Sequence, residues 1–79
     1  MSQNHPFHII VNGRPRDAAG PAISYRDVVL LAFPDAQFDQ FLFEVQYTGP
    51  KVPDGSLIEG QSVNVENGMK FDVTKTNKS

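Results

Sequence analysis

The sequence predicts an α+β domain in which one helix packs on a mixed sheet of four to five strands. Three observations predict it. Segments with strand-like patterns lie near both ends of the chain, and one capped segment with helical spacing lies between them. The length of 79 residues suits a single core, because so small a chain buries too little surface to divide between two.

The first predicted element is a β-hairpin. Residues 7–11 are β-branched or aromatic, and they run into Asn12-Gly13, the dipeptide that best tolerates the positive φ angles of a tight turn. A returning strand is expected to end near Ile23. It should be a short edge strand, because its segment contains two prolines and a glycine.

A helix is expected over residues 25–33. Ser24 lies three residues before Asp27, the spacing of a capping pair, and an apolar run with helical spacing follows. Pro34 disfavours helical geometry at the residue before it. A strand over residues 28–33 also fits the periodicity, but the cap and the proline favour the helix.

Three later strands are predicted. Residues 41–48 alternate apolar and polar side chains, which is typical of a half-buried strand. Turn residues follow as far as Gly55, and residues 56–58 are expected to form a local apolar anchor. Residues 62–65 and 69–74 are expected to form a hairpin around Asn67-Gly68.

This order of elements predicts the β-grasp arrangement. A single amphipathic helix buries its apolar stripe by lying across the one sheet available. A right-handed crossover through the helix is expected to make the first strand and the strand after the helix parallel neighbours or near neighbours. The predicted domain spans residues 6–74, with flexible segments at 1–5 and 75–79.

Composition excludes several function classes. Seven basic residues against nine acidic ones give a net charge of −2, and the basic residues are scattered, so duplex nucleic acid is not the expected ligand. The absence of cysteine excludes disulfides and thiolate zinc sites and predicts a cytoplasmic protein. No signal segment or membrane anchor is expected.

No catalytic, metal or cofactor site is expected. The carboxylates are spread over turns and solvent faces without a histidine base, and the glycines do not form a phosphate-binding motif. His5 and His8 have no further ligand at metal-binding spacing. We therefore expect a protein that is bound or attached, and no enzyme.

A partner-binding surface is predicted on the sheet. Ile10 alternates with the core-facing side chains of the first strand, and Leu42 does so in the strand after the helix. Together with the polar residues His8, Gln46 and Thr74, they are expected to form an apolar patch with a polar rim on the open face of the sheet.

The chain resembles the multiubiquitin family, a bacterial group of ubiquitin-like proteins that occur singly or as tandem copies. The resemblance lies in residues 7–14, 23–29, 43–47, 55–63 and 67–73, in this order. It implies a ubiquitin-like β-grasp fold and a modifier conjugated through its carboxyl terminus. It also implies three partners: an activating enzyme, a transfer enzyme and a metal-dependent deconjugating peptidase.

The end of the sequence departs from the usual modifier pattern. Ubiquitin-like modifiers typically end in Gly-Gly, which fits a narrow enzyme channel because glycine has no Cβ, whereas Lys78-Ser79 ends this chain. Ser79 is the predicted conjugation residue if the cognate enzymes accept a terminal serine; otherwise the tail is processed, or the domain is never conjugated. The alternatives are a non-covalent adaptor and a sulfur carrier of the same fold, although a sulfur carrier also needs a terminal Gly-Gly.

Overall fold

The computed structural model describes residues 6–77, and this part of the chain contains seven strands and one helix. In chain order they are β1 (Phe7–Val11), β2 (Arg14–Ala18), β3 (Ala22–Ser24), α1 (Tyr25–Ala32), β4 (Phe41–Thr48), β5 (Gly55–Leu57), β6 (Ser62–Asn64) and β7 (Lys70–Asn77). Five strands form a mixed sheet in the order β2-β1-β7-β4-β5, and β3 pairs with β6. The predicted segment 1–5, including His5, and the tail residues Lys78 and Ser79 lie outside the described residues.

The predicted first hairpin is confirmed. Asn12 and Gly13 have φ angles of 52° and 79°, and Val11 pairs with Arg14 across the turn. The returning strand ends at Ala18, earlier than predicted, because Ala18 pairs with Phe7, the first residue of β1, and within the described residues the ladder has no further partner there. Ile23 belongs instead to β3, where it pairs with Val63 of β6.

The predicted helix is also confirmed, with its end one residue earlier. The Asp27 N–H donates to the Ser24 hydroxyl at 3.1 Å, and the Ser24 N–H donates to the Asp27 carboxylate at 3.4 Å. These reciprocal bonds satisfy two of the backbone donors left free at a helix start. The helix ends at Ala32, ahead of Pro34.

The predicted hairpin between residues 62–65 and 69–74 is wrong. Asn67-Gly68 does form a turn, in which Gly68 has a φ of 89° and the Met69 N–H donates to the Glu66 carbonyl. The strands on either side of it belong to different sheets, since β6 pairs with β3 whereas β7 pairs with β1 and β4. A turn dipeptide reverses the chain locally but does not choose a strand's partner.

The predicted parallel relation of β1 and β4 is wrong as well. β7 is parallel to β1 and antiparallel to β4, so β1 and β4 run in opposite directions with β7 between them. The strand that leads towards the helix is β2, which is antiparallel to β1. The crossover rule therefore relates β2, not β1, to β4.

β7 is longer than predicted, and β5 is an additional strand. β7 continues past the predicted end at Thr74 because β4 supplies partners for its last residues. Phe43 pairs with Lys75, and Phe41 pairs with Asn77. The expected anchor around Ser56 is instead the edge strand β5, in which Gly55 pairs with Tyr47. A Cβ on Gly55 would lie 2.5 Å from the Tyr47 hydroxyl, which explains why glycine fits there.

The core lies between α1 and one face of the five-stranded sheet. Val28 and Val29 of α1 are fully buried, as are Ile9 and Phe71 of the sheet, and no polar or charged residue of the described chain is classed as buried. Tyr25 keeps its hydroxyl satisfied by donating to the Phe43 carbonyl at 2.9 Å. Burial raises the pKa of the Tyr25 hydroxyl, and the Glu59 carboxylate raises that pKa further.

Two isoleucines provide a matched test of this core. Ile9 is 1% exposed and Ile58 is 64% exposed. Ile9→Ala should lower the free energy of unfolding by about 3 kcal/mol, because it leaves a cavity between sheet and helix. Ile58→Ala should change it by no more than about 0.5 kcal/mol. Urea unfolding measures both values, and similar losses in the two variants would contradict this assignment of the core.

Candidate protein-interaction surfaces

The sheet has an open face on the side away from α1. Ile9, Val11, Phe43 and Val45 point into the core, so the residues that alternate with them project from the open face. This open face carries His8, Ile10, Pro15, Asp17, Leu42, Glu44, Gln46, Thr48, Ser56, Lys70, Asp72, Thr74 and Thr76.

All five residues of the predicted partner-binding surface lie on this face, but they do not form one apolar patch. Ile10 pairs with Lys70 near the start of β7, whereas Leu42 pairs with Thr76 near its end. Six residues of extended strand separate these positions by about 20 Å. Ile10 is half-buried and Leu42 is 56% exposed, so the apolar surface is divided in two.

His8 and Gln46 lie on the same half of the open face as Ile10. Gln46 pairs with Asp72, two residues along β7 from the partner of Ile10. The His8 ring Nδ1 lies 3.0 Å from an Asp17 carboxylate oxygen, and both side chains are exposed. This half of the face is polar, and exposed Leu42 stands apart from it.

An aromatic cluster fixes the end of β7 against α1. It consists of Tyr25, Phe33, Phe38, Phe41 and Phe43, and Phe43 is at its centre, with ring centroids 5.4 to 6.4 Å from those of three of the others. The Lys75 ammonium lies 4.6 Å from the Phe41 ring centroid and 5.4 Å from that of Phe33. The cluster therefore holds the last residues of β7 in the sheet, where the sequence predicts a flexible tail.

The side chain of Asn12 closes the ladder between β1 and β7. Its amide oxygen accepts from the Val73 N–H at 2.8 Å, and its amide nitrogen donates to the Val73 carbonyl at 3.2 Å. The backbone N–H groups of Ile10 and Asn12 donate to the carbonyls of Met69, just before β7, and of Phe71, on the same side of the chain as Val73. The side chain of Asn12 thus makes the next pair of ladder hydrogen bonds, at the point where the backbone of β1 turns away from β7.

Beyond Asn12, β7 has a free edge. Backbone polar groups alternate between the two sides of a strand, so those of Lys75 and Asn77 point to the same side as those of Val73, away from β4. In the described part of the chain, no partner accepts from or donates to them. We call these backbone groups of Lys75 and Asn77 the β7 edge.

Two clefts on the helix side share Ala32, and one of them includes Lys75 of the β7 edge whereas the other includes Asn12. One, of about 350 Å³, is lined by residues that include Phe33, Asp35, Phe41 and Lys75. The other, of about 360 Å³, is lined by Val11, Asn12, Arg14, Arg16, Leu31 and Ala32. Sequence reasoning missed this region, because the role of Asn12 in the turn already explained its identity.

The described residues offer no metal site and no transmembrane helix. Within residues 6–77, no three His, Asp or Glu side chains are grouped to hold a metal ion. No helix in this range is long and apolar enough to cross a membrane.

The topology defines the class of protein. The chain begins with a β-hairpin, continues through one capped helix and ends with a central strand that is parallel to the first strand. The five-stranded mixed sheet with this helix packed on it is a ubiquitin-like β-grasp fold. Comparison with protein-family models matches Multiubiquitin over residues 7–77. The chain belongs to the multiubiquitin family. Searches of curated proteins and of solved structures gave no significant match.

The two amide bonds of Asn12 can be tested without disturbing the turn. Asn12→Gly keeps the positive φ angle but removes both bonds to Val73, and it should lower the free energy of unfolding by about 1 kcal/mol. Hydrogen exchange of the Val73 amide should become faster. Asn12→Asp keeps an acceptor for the Val73 N–H and is the control. Its Val73 amide should exchange more slowly than that of Asn12→Gly. Unchanged protection of Val73 in Asn12→Gly would contradict the bonding described.

Proposed function

We propose that this chain is a ubiquitin-like protein modifier that is activated and conjugated through its carboxyl terminus. The observation that carries the proposal is the multiubiquitin match, which spans all of the chain except the first six and last two residues. In the proposed reaction an activating enzyme joins the terminal carboxylate to the α-phosphate of ATP and releases pyrophosphate. A thiolate of the enzyme then displaces AMP, and a transfer enzyme passes the acyl group to a target amine.

The position of β7 supports this proposal. β7 is the last strand and lies in the centre of the sheet, held by β1 on one side and β4 on the other. Its end is fixed by the aromatic cluster, and Asn77 is exposed. An enzyme that binds the fold would therefore receive the residues after Asn77 from a defined direction. In this proposal the carboxylate of Ser79 is the group that is adenylated, and Lys78 leads it to the activating enzyme.

The test uses the full chain with ATP, Mg²⁺ and an activating enzyme encoded beside it, which the proposal requires. We expect pyrophosphate release and a thioester to the enzyme, both measured by mass spectrometry and lost when Lys78-Ser79 is deleted. Lys51→Ala, a change at an exposed residue far along the chain from the tail, is the control and should react normally. Failure of the intact chain to form an adenylate, or equal reaction of the truncated chain, would refute conjugation.

A second function, that of a non-covalent adaptor, is favoured by the exposure of Leu42. This side chain is 56% exposed on a strand whose neighbours Phe41 and Phe43 face the core. An isolated exposed leucine on a rigid strand can insert into an apolar pocket of a partner. The tail would then have no role in binding.

Leu42→Glu separates the adaptor from the modifier. In the adaptor, this change should weaken capture of a partner identified by pull-down and mass spectrometry at least about tenfold, as expected for a buried anchor. Deletion of Lys78-Ser79 should leave that capture unchanged. Ile58→Glu, at an exposed apolar residue just after the end of β5, is the matched control. Equal capture by Leu42→Glu and Ile58→Glu would contradict the adaptor.

A further inference from the structure

We infer that the β7 edge binds an extended acidic peptide segment of another protein, which adds to the sheet as a strand. The inference goes beyond the proposed conjugation and does not depend on it. It rests on the unpaired backbone of β7, on the charge beside that edge and on the two clefts on the helix side.

The backbone geometry calls for an extended chain as the occupant. Lys75 and Asn77 present two N–H donors and two carbonyl acceptors in one row, at the spacing of a sheet ladder. The opposite side of β7 is fully paired with β4 as far as Asn77, so this row is held straight. A strand is the structure whose own donors and acceptors match such a row.

The charge beside the edge favours acidic side chains. Ala18 is buried on β2, and Arg14 and Arg16, four and two residues before it, share its side of the strand. Both arginines therefore lie on the helix side, the same side as Lys75. None of these three cations forms an ion pair within residues 6–77, whereas Arg26 pairs with Glu59 at 3.1 Å. Asp35 is the single carboxylate among the described residues that line the two clefts.

The two clefts give an added strand room for its side chains. Alternate side chains of that strand would project to the helix side, towards the clefts that share Ala32. The Phe33 and Phe41 rings offer apolar contact there, and Lys75 and Arg14 offer charge. The opposite side chains would extend the open face.

A second copy of this chain is a poorer occupant. Edge-to-edge pairing of two β7 strands would bring the Lys75 ammonium groups of both copies, and their Arg14 and Arg16 side chains, towards one another. Like charges that face each other across a ladder are destabilising. The positive edge therefore selects against self-pairing and for an acidic partner.

The probe is a labelled ten-residue peptide that alternates valine and glutamate, titrated onto the full chain. We expect saturable binding by fluorescence anisotropy, weaker at high salt, with slower hydrogen exchange at the Lys75 and Asn77 amides. A peptide with lysine in place of every glutamate should bind at least about tenfold more weakly. Arg14→Ala and Lys75→Ala should each weaken binding of the acidic peptide, and Lys51→Ala should not.

A matched pair of variants tests the backbone contact itself. Asn77→Pro removes the N–H that points away from β4, at a position where a strand edge tolerates proline. It should weaken binding about fivefold, the value of one net hydrogen bond. Asn77→Ala keeps that N–H and should bind like the wild type. Circular dichroism checks that both variants fold. If either fails to fold, Lys75→Ala, which keeps every backbone group, still tests the contribution of charge to binding.

Several outcomes would overturn the inference. They are no binding at about millimolar peptide, equal binding of the acidic and lysine peptides, and unchanged exchange at Lys75 and Asn77 in the complex. Protection of these two amides that rises with protein concentration, without peptide, would identify a second copy as the occupant and would also overturn it. The assay contains no activating enzyme, so its failure leaves conjugation untouched.

Discussion

The five-stranded sheet depends on the pairing of its last strand, because within residues 6–77 β7 joins two halves of the sheet that share no ladder with each other. On one side it pairs in parallel with β1, which carries β2, and on the other it pairs with β4, which carries β5. Ile10 and Lys70 are paired although 60 residues separate them in sequence. The sheet is therefore complete only when nearly all of the chain is present, and such long-range pairing is entropically costly to close.

The two faces of β7 belong to different parts of the molecule, the core and the open face of the sheet. Phe71 and Val73 face α1 and are buried, while Asp72 and Thr74, which alternate with them, project from the open face. A one-residue change in register would exchange these two sets, so the core fixes the composition of the open face. The capped helix contributes by burying Val28 and Val29 against the same strand layer.

The sequence predicted those features that local chemistry determines. Asn12-Gly13 identified the first turn, Ser24 and Asp27 identified the start of the helix, and the alternation of Phe43 and Val45 identified β4. Each signal acts within a few residues. Strand partners are decided by packing across the whole fold, so Asn67-Gly68 correctly indicated a turn and wrongly indicated a hairpin.

The surfaces were harder to predict for the same reason. Alternation placed Ile10 and Leu42 on the open face, but their separation follows from the register of both strands on β7, which no local pattern contains. Likewise, the polar sequence after Thr74 resembled a tail, although β4 and the aromatic cluster hold Lys75 in the sheet. Lys78 and Ser79 lie outside the described residues, so their predicted role stays a prediction.

Asn12 connects the turn to the free edge. Its backbone takes the positive φ angle that ends β1, and the same conformation brings its amide against Val73, where it satisfies the next rung of the ladder. An exposed strand edge invites uncontrolled pairing, and a short one limits it. By occupying Val73, Asn12 limits the free groups on this side of β7 to those of Lys75 and Asn77 within the described residues. Two rungs give little affinity alone, so a partner must gain the remainder from charge and from the clefts, and this requirement confers selectivity on the edge.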